Sequence, residues 1–171
     1  MNELLDRMLR AAKLDANLYE EVEADKDLMS QAILVVVLSS IAAGLGNVAQ
    51  GGVAGVLIMT ILALVSWLIW AYLTYIIGTK LLPTANTEAD YGQLLRTIGF
   101  SSAPGVIRIL GIIPGLTGLV FTAANIWMLV AMVIAVRQAL DYESTIRAVG
   151  VCLIGWVIQA VLLGLTMAAM A

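Results

Sequence analysis

The residue best suited to specific chemistry in this 171-residue sequence is Arg108, which lies inside the apolar stretch GFSSAPGVIRILGIIPGLTG at 99–118. No other membrane-grade apolar segment carries a charge in its interior. An unpaired guanidinium in the hydrocarbon core costs at least about 2.5 to 3.5 kcal/mol. We therefore expect neighbouring groups to offset that cost by hydrogen bonding to Arg108.

The partners of Arg108 must be uncharged, because no aspartate or glutamate lies within any apolar segment. The candidates are the amides of Asn125 and Gln159, serine and threonine hydroxyls, and backbone carbonyls. Pro104 has no N–H group, so it leaves the carbonyl of Phe100 free for another donor and should kink its helix near 101–104. Two interpretations stay open. Arg108 either reaches outer headgroups or clamps a neighbouring helix, or it forms a site for an anionic lipid headgroup or substrate.

Other chemistries are excluded by what the sequence lacks. It contains no histidine and a single cysteine, Cys152, so it cannot by itself build the usual zinc, haem, Cys-His or Ser-His sites. A proton or cation pathway normally needs an intramembrane carboxylate, which is missing. There is also no glycine-rich phosphate loop and no basic stripe for nucleic acid. We expect no enzyme activity, no metal, no cofactor and no nucleic-acid partner.

The composition predicts an all-α polytopic membrane bundle. Hydrophobic residues make up 61% of the chain, and its mean hydropathy is +0.98, which is too apolar for a soluble domain of this length. A bilayer core of about 30 Å needs about 20 apolar residues per helix. Five such spans are predicted, at about 29–48, 53–77, 94–113, 116–136 and 149–170. They form one membrane domain, 29–171.

Residues 1–28 form a charged cytosolic arm before the first span. Apolar residues recur at helical spacing on one side of its beginning, which predicts a short amphipathic helix on the membrane surface. Asp15 can cap a second, acidic helix. The arm is either a solvated juxtamembrane segment or a docking surface for a basic partner or for the protein's own cytosolic loops. Farther on, Thr87 and Asp90 give a capping pattern for a helix that starts near Glu88.

The basic residues predict the orientation. A cytoplasmic N-terminus and an outer C-terminus put eight of the nine lysines and arginines on the cytoplasmic side, and Arg108 is the exception. The expected location is the cytoplasmic (inner) membrane, which the chain crosses several times.

Four stretches resemble the Yip domain family of Rab-interacting membrane proteins, in its prokaryotic branch. They are LDANLYEEVEAD at 14–25, WLIWAYLTYIIGTKLL at 67–82, YGQLLRTIGFSSAPGVIRILGIIPG at 91–115 and AVRQALDY at 135–142. The resemblance implies five spans and a cytosolic N-terminus. In eukaryotic relatives it implies roles in membrane traffic and organelle shape through cytosolic partners. The signature positions it implies in this sequence are Tyr91, Gly92, Gly99, Ala103, Pro104 and Arg108.

Two functional hypotheses follow. The leading one is a non-enzymatic structural or adaptor component that acts through membrane lipid, through self-association, or through another membrane or cytosolic protein. The alternative is a small transporter, channel or lipid-handling protein with an anion or headgroup site near Arg108.

Overall fold

The computed structural model describes the backbone of residues 2–170 and the side chains of 2–48, 52 and 54–161. The described chain is helical, as the sequence predicts. Its α-helices are α1 (Asn2–Ala12), α2 (Ala16–Ala24), α3 (Met29–Gly46), α4 (Val48–Ile76), α5 (Tyr91–Phe100), α6 (Thr117–Ala139) and α7 (Thr145–Met170). Three short helices of other types complete it: 3₁₀ turns at Lys26–Leu28 and Ala103–Ile112, and a π-helical turn at Ile77–Leu81.

Three helical stretches are long and apolar enough to cross a membrane: Lys26–Gly46, Ala54–Leu81 and Thr117–Ala139. They coincide with the first, second and fourth predicted spans. A further apolar stretch, Thr145–Val161, forms the start of α7. The side chains of 162–170, which belong to the predicted fifth span, lie outside the described residues.

The predicted arm contains both expected helices, α1 and α2. Asp15 caps α2, since its carboxylate accepts from the backbone N–H of Asn17 at 3.0 Å. One side of α2 is fully buried, with Leu18, Tyr19 and Val22 packed on the bundle. The arm therefore has its own apolar contact with the membrane domain.

The predicted third span, 94–113, consists of two helices and breaks at 101–102, within the stretch where Pro104 was expected to kink it. Helix α5 has 10 residues and ends at Phe100, and a 3₁₀ helix of 10 residues begins at Ala103. At about 1.5 and 2.0 Å per residue these are about 15 and 20 Å long, so neither alone crosses a core of about 30 Å. Pro104 stands in the first turn of the second helix, where its missing N–H is harmless.

The start of α5 corrects the predicted cap. The helix begins at Tyr91, with Asp90 as the N-cap residue. Asp90 accepts from the N–H of Gln93 at 2.8 Å, and the Gln93 amide accepts from the N–H of Asp90, which together form a capping box. The Thr87 hydroxyl instead accepts from the backbone N–H of Thr84 in the preceding loop, at 3.0 Å. Gln93, at the third helical position, forms the capping box with Asp90, and the pattern of Thr87 and Asp90 does not start the helix.

The 3₁₀ helix packs closely between α3 and α6 because its contact face has little side-chain volume. Residues three apart are eclipsed in a 3₁₀ helix, so Gly105, Arg108 and Gly111 lie in one row. A Cβ atom added at Gly105 would overlap the Ser39 hydroxyl of α3. One added at Gly46, the last residue of α3, would overlap the carbonyl oxygen of Arg108.

Gly46→Ala should destabilise the protein, because the new methyl group would meet the rigid backbone of Arg108. Overpacking of this kind costs about 1–3 kcal/mol. The matched control is Gly55→Ala in α4, where an added Cβ has no neighbour within 4 Å and helix propensity favours alanine. Thermal unfolding in detergent should show a lower midpoint for Gly46→Ala and an unchanged or higher one for Gly55→Ala. Equal midpoints would contradict the close packing of α3 on the 3₁₀ helix.

Candidate functional site

Arg108 is held inside the bundle by neutral oxygens. Its Nη2 donates to the Ser39 hydroxyl at 2.8 Å and lies 3.3 Å from the Ser39 carbonyl oxygen. Its Nε donates to the carbonyl of Gly105, one 3₁₀ turn earlier, at 3.0 Å. Ser39 lies about 15 Å along α3 from its first residue, at about 1.5 Å per residue. The guanidinium therefore joins the 3₁₀ helix to the middle of α3.

Arg108 also borders a partly open cavity of about 620 Å³ lined by α3, α4, α6, α7 and the broken third segment. Most of its wall is apolar or aromatic, and the hydroxyl groups that line it belong to serine residues. The other described residues that line it are Val36, Ser39, Ser40, Ala63, Ser66, Trp67, Trp70, Ile98, Ser101, Ser102, Asn125, Ile126, Met128, Leu129, Met132, Trp156 and Gln159. Its volume falls within the roughly 300–1,000 Å³ of small-molecule sites.

Asn125 and Gln159, two of the candidate partners, line the same cavity as Arg108. The hydrogen bonds of Arg108 go to Ser39 and Gly105, however, and neither amide is among its described partners. The carbonyl of Phe100 is not among them either. The described partners of Arg108, a serine hydroxyl of α3 and backbone carbonyls, belong to the other two classes of candidate that the sequence offered.

The other signature positions that the family resemblance implies make packing contacts in different parts of the fold. The Tyr91 hydroxyl donates to the carbonyl of Leu68 at 2.9 Å, and a Cβ added at Gly99 would lie 2.9 Å from that of Ala32. Ala103 and Pro104 are buried where the 3₁₀ helix begins. Gly92 leaves room for a neighbouring arginine, since an added Cβ would lie 3.3 Å from Nη1 of Arg96.

Arg96 is the structural residue that sequence reasoning missed, because it was counted only as a cytoplasmic charge. It is 3% exposed. Its Nε donates to the carbonyl of Val22 at 2.8 Å, and its Nη2 donates to the carbonyl of Glu23. These carbonyls belong to the last turn of α2, where helix carbonyls lack intrahelical donors and favour a cation. The available signal was its position beside the apolar residues Leu94, Leu95 and Ile98 on α5.

The two helices of the arm are joined by ion pairs at Glu21. This carboxylate accepts from Arg7 Nε at 2.8 Å and from Arg10 Nη1 at 2.6 Å. Hydrogen bonds from Arg7 and Arg10 lower the pKa of Glu21. Arg7 also donates to the Gln31 amide of α3 at 3.1 Å. Since Glu21 is partly solvent-exposed, these pairs orient the arm more than they stabilise the fold.

Acidic side chains from three separate segments meet beside the end of α2. Half-burial, with Asp141 nearby, raises the pKa of Glu23 from 4.5 to about 7, although Arg96 acts in the opposite direction. Glu20 and Asp90 add further negative charge. Glu20 is held by the amide of Gln138 at 2.8 Å, in a depression that Asp141 and Glu143 also line. We call Glu20, Glu23, Asp90, Asp141 and Glu143 the acidic face.

A family model described as the Yip1 domain matches residues 16–166. The chain belongs to the Yip1 domain family. Comparison with curated proteins and with solved structures gives no match. The Yip1 match begins at the first residue of α2, so the acidic helix is part of the domain and α1 precedes it. The membership and the apolar helices together identify an integral membrane protein with a helical bundle.

Arg96→Met should release α2 from the bundle, since the apolar stem remains while two helix-end carbonyls lose their donor. An unsatisfied buried polar group costs about 1–3 kcal/mol. Amide hydrogen exchange in α2 should accelerate by about 5- to 100-fold, with α6 unchanged. Arg147→Met is the control, because Arg147 is exposed and its nearest described acceptor is the Pro83 carbonyl at 3.5 Å. Normal protection of α2 in Arg96→Met would show that Arg96 does not hold the arm.

The acidic face should make docking of α2 weaker as pH rises. A carboxyl whose pKa is higher in the folded protein stabilises the docked state below its unfolded pKa, and this stabilisation is lost as pH rises through about 7. Corrected for intrinsic exchange, protection of α2 should fall by about tenfold between pH 5 and 8, discounted for the partial exposure of the carboxyl. Glu23→Gln should remove this dependence. Protection that rises with pH would contradict the assignment to Glu23.

Proposed function

We propose that this protein is a non-enzymatic structural or adaptor component of the cytoplasmic membrane, acting through a protein partner on its cytosolic side. The observation that carries the proposal is the acidic face, in which the arm, the loop before α5 and the loop after α6 contribute to one surface. Basic groups there are engaged within the protein. Arg137 donates to the Tyr142 carbonyl at 3.1 Å, and Arg96 is buried. The surface is therefore suited to a basic partner.

Fixed geometry supports an adaptor role over a solvated arm. Docking by Arg96 and the apolar side of α2 removes most of the freedom that a tethered segment would lose on binding. The Tyr142 hydroxyl donates to the Leu82 carbonyl at 2.7 Å and fixes the two loops relative to each other. A partner would meet an ordered surface whose charges attract it over about a Debye length, near 8 Å at physiological salt.

The proposed topology has five membrane crossings, with an inside N-terminus and an outside C-terminus. The arm, 1–28, then lies on the cytosolic side of a membrane domain, 29–171. In this arrangement α5 and the 3₁₀ helix together make the third crossing. The distribution of lysine and arginine supports it, because only Arg108 of the nine would lie away from the cytoplasmic side.

Site-specific photocross-linking in native membranes tests the adaptor proposal. A photoreactive residue at Asn86, an exposed position that lines the acidic depression, should yield an adduct with a cytosolic or membrane protein, or with a second copy. The same residue at exposed Ile113, beyond the 3₁₀ helix, is the matched control. Asp141→Asn with Glu143→Gln should reduce the Asn86 adduct at least about threefold, because rim charges mainly affect association.

Two results together would contradict the proposal. If Asn86 gives no adduct, and the purified monomer transports a solute by itself, the adaptor role is wrong. The second candidate function, a small transporter, channel or lipid-handling protein, would then be favoured. The observation that favours it is the cavity beside Arg108.

A further inference from the structure

The charge of Arg108 is uncompensated inside the bundle. None of the described residues that line its cavity is acidic, and 91–140 contains no aspartate or glutamate at all. The oxygens of Ser39 and Gly105 satisfy Nε and Nη2, but they supply no negative charge. A cation in a low-dielectric environment attracts an anion strongly, since little water screens it.

A second polar group in the same cavity has no partner. The indole Nε1–H of Trp70 is buried without a hydrogen-bond acceptor among the described residues. Trp70 is 8% exposed and lines the cavity together with Arg108. Its neighbour Trp67 is satisfied, because its indole donates to the Leu95 carbonyl at 3.1 Å. A buried donor left unpaired costs about 1–3 kcal/mol, so the wall of the cavity holds a second polar point besides Arg108.

The remaining wall fits a hydrocarbon chain. Met128, Leu129 and Met132 of α6 line one side, and methionine accommodates irregular apolar shapes. Ile126 and Trp156 also line the cavity but are 60% and 67% exposed. Because both residues are exposed, the cavity is open to the outside of the bundle at the side where α6 and α7 carry them.

We infer that this cavity binds a single-chain anionic amphiphile from the bilayer, with its acidic head at Arg108 and its chain along α6 and past Trp70. The inference rests on the second candidate function and is independent of the acidic face. One chain fits better than two, because a cavity of about 620 Å³ holds a single long hydrocarbon chain with its head but not a two-chain phospholipid. A fatty acid is the simplest member of this class.

Quenching of tryptophan fluorescence by brominated lipids tests the inference, since Trp67, Trp70 and Trp156 line the cavity. The full-length protein is placed in nanodiscs of neutral phospholipid. The probe is 9,10-dibromostearate, and it should quench saturably. Dibromostearyl alcohol has the same chain without the charge, dibromophosphatidylglycerol has two chains, and acetate has the head alone. The two brominated controls should quench only weakly or without saturation. Acetate, which carries no bromine, should not displace the acid.

Variants assign the binding to the cavity. Arg108→Gln should weaken dibromostearate binding by about tenfold or more, whereas Arg108→Lys, which keeps the charge, should retain most of it. Trp70→Phe keeps an aromatic ring beside the chain and removes only the indole donor, so the affinity should stay within about twofold. Arg147→Gln is the matched control outside the cavity and should leave binding unchanged. If Arg108→Gln fails to fold, Ala63→Phe tests the same site by filling the cavity with Arg108 intact.

The outcomes separate clearly. Saturable binding of the acid that Ala63→Phe and Arg108→Gln both reduce supports the inference. Equal binding of the alcohol, or unchanged binding in folded Arg108→Gln, overturns the role of the charge. Equal saturable binding of the phospholipid, or displacement of the acid by acetate alone, overturns the single-chain amphiphile. None of these results depends on the cross-linking at the acidic face.

Discussion

The contact between Arg108 and Ser39 is the interaction on which the membrane core depends. It fixes the 3₁₀ helix against the middle of α3, with a hydroxyl hydrogen bond of 2.8 Å. The geometry requires glycine on both sides, because an added Cβ at Gly105 would overlap the Ser39 hydroxyl and one at Gly46 would overlap the backbone carbonyl of Arg108. It also requires a 3₁₀ backbone, since only three residues per turn align Gly105, Arg108 and Gly111 in one row. In a regular α-helix, which has about 3.6 residues per turn, these three residues would point in different directions.

A second arginine, Arg96, organises the packing of α2 by the same physical means. Arg96, like Arg108, donates to oxygens of the chain and has no carboxylate among the hydrogen-bond partners described for it. It satisfies carbonyls at the end of α2, and the acidic face is assembled around that point. Half-burial near this face raises the pKa of Glu23 to about 7. Docking of the Yip1 domain's first helix is therefore coupled to the charge of the acidic face.

The sequence was sufficient for much of the fold because lipid demands long apolar helices. The spans at 29–48, 53–77 and 116–136 and the cap at Asp15 follow from composition and spacing, whereas the Yip1 family followed from the resemblance of four stretches of the sequence. The third segment was harder. Pro104 and the glycines indicated a break, but the switch to a 3₁₀ helix depends on close contact with α3. The role of Arg96 and the choice of Ser39 over Asn125 or Gln159 depend on which helices become neighbours, and that cannot be read from periodicity.

The most direct test is a double-mutant cycle between Ser39 and Arg108, with unfolding free energies of Ser39→Ala, Arg108→Met and the double variant measured in detergent. If the hydrogen bond joins the 3₁₀ helix to α3, the two changes should be coupled by about 0.5–3 kcal/mol. The double variant should then lose less stability than the sum of the single variants. Additivity within about 0.3–0.5 kcal/mol would show that the two residues act independently and would contradict this account.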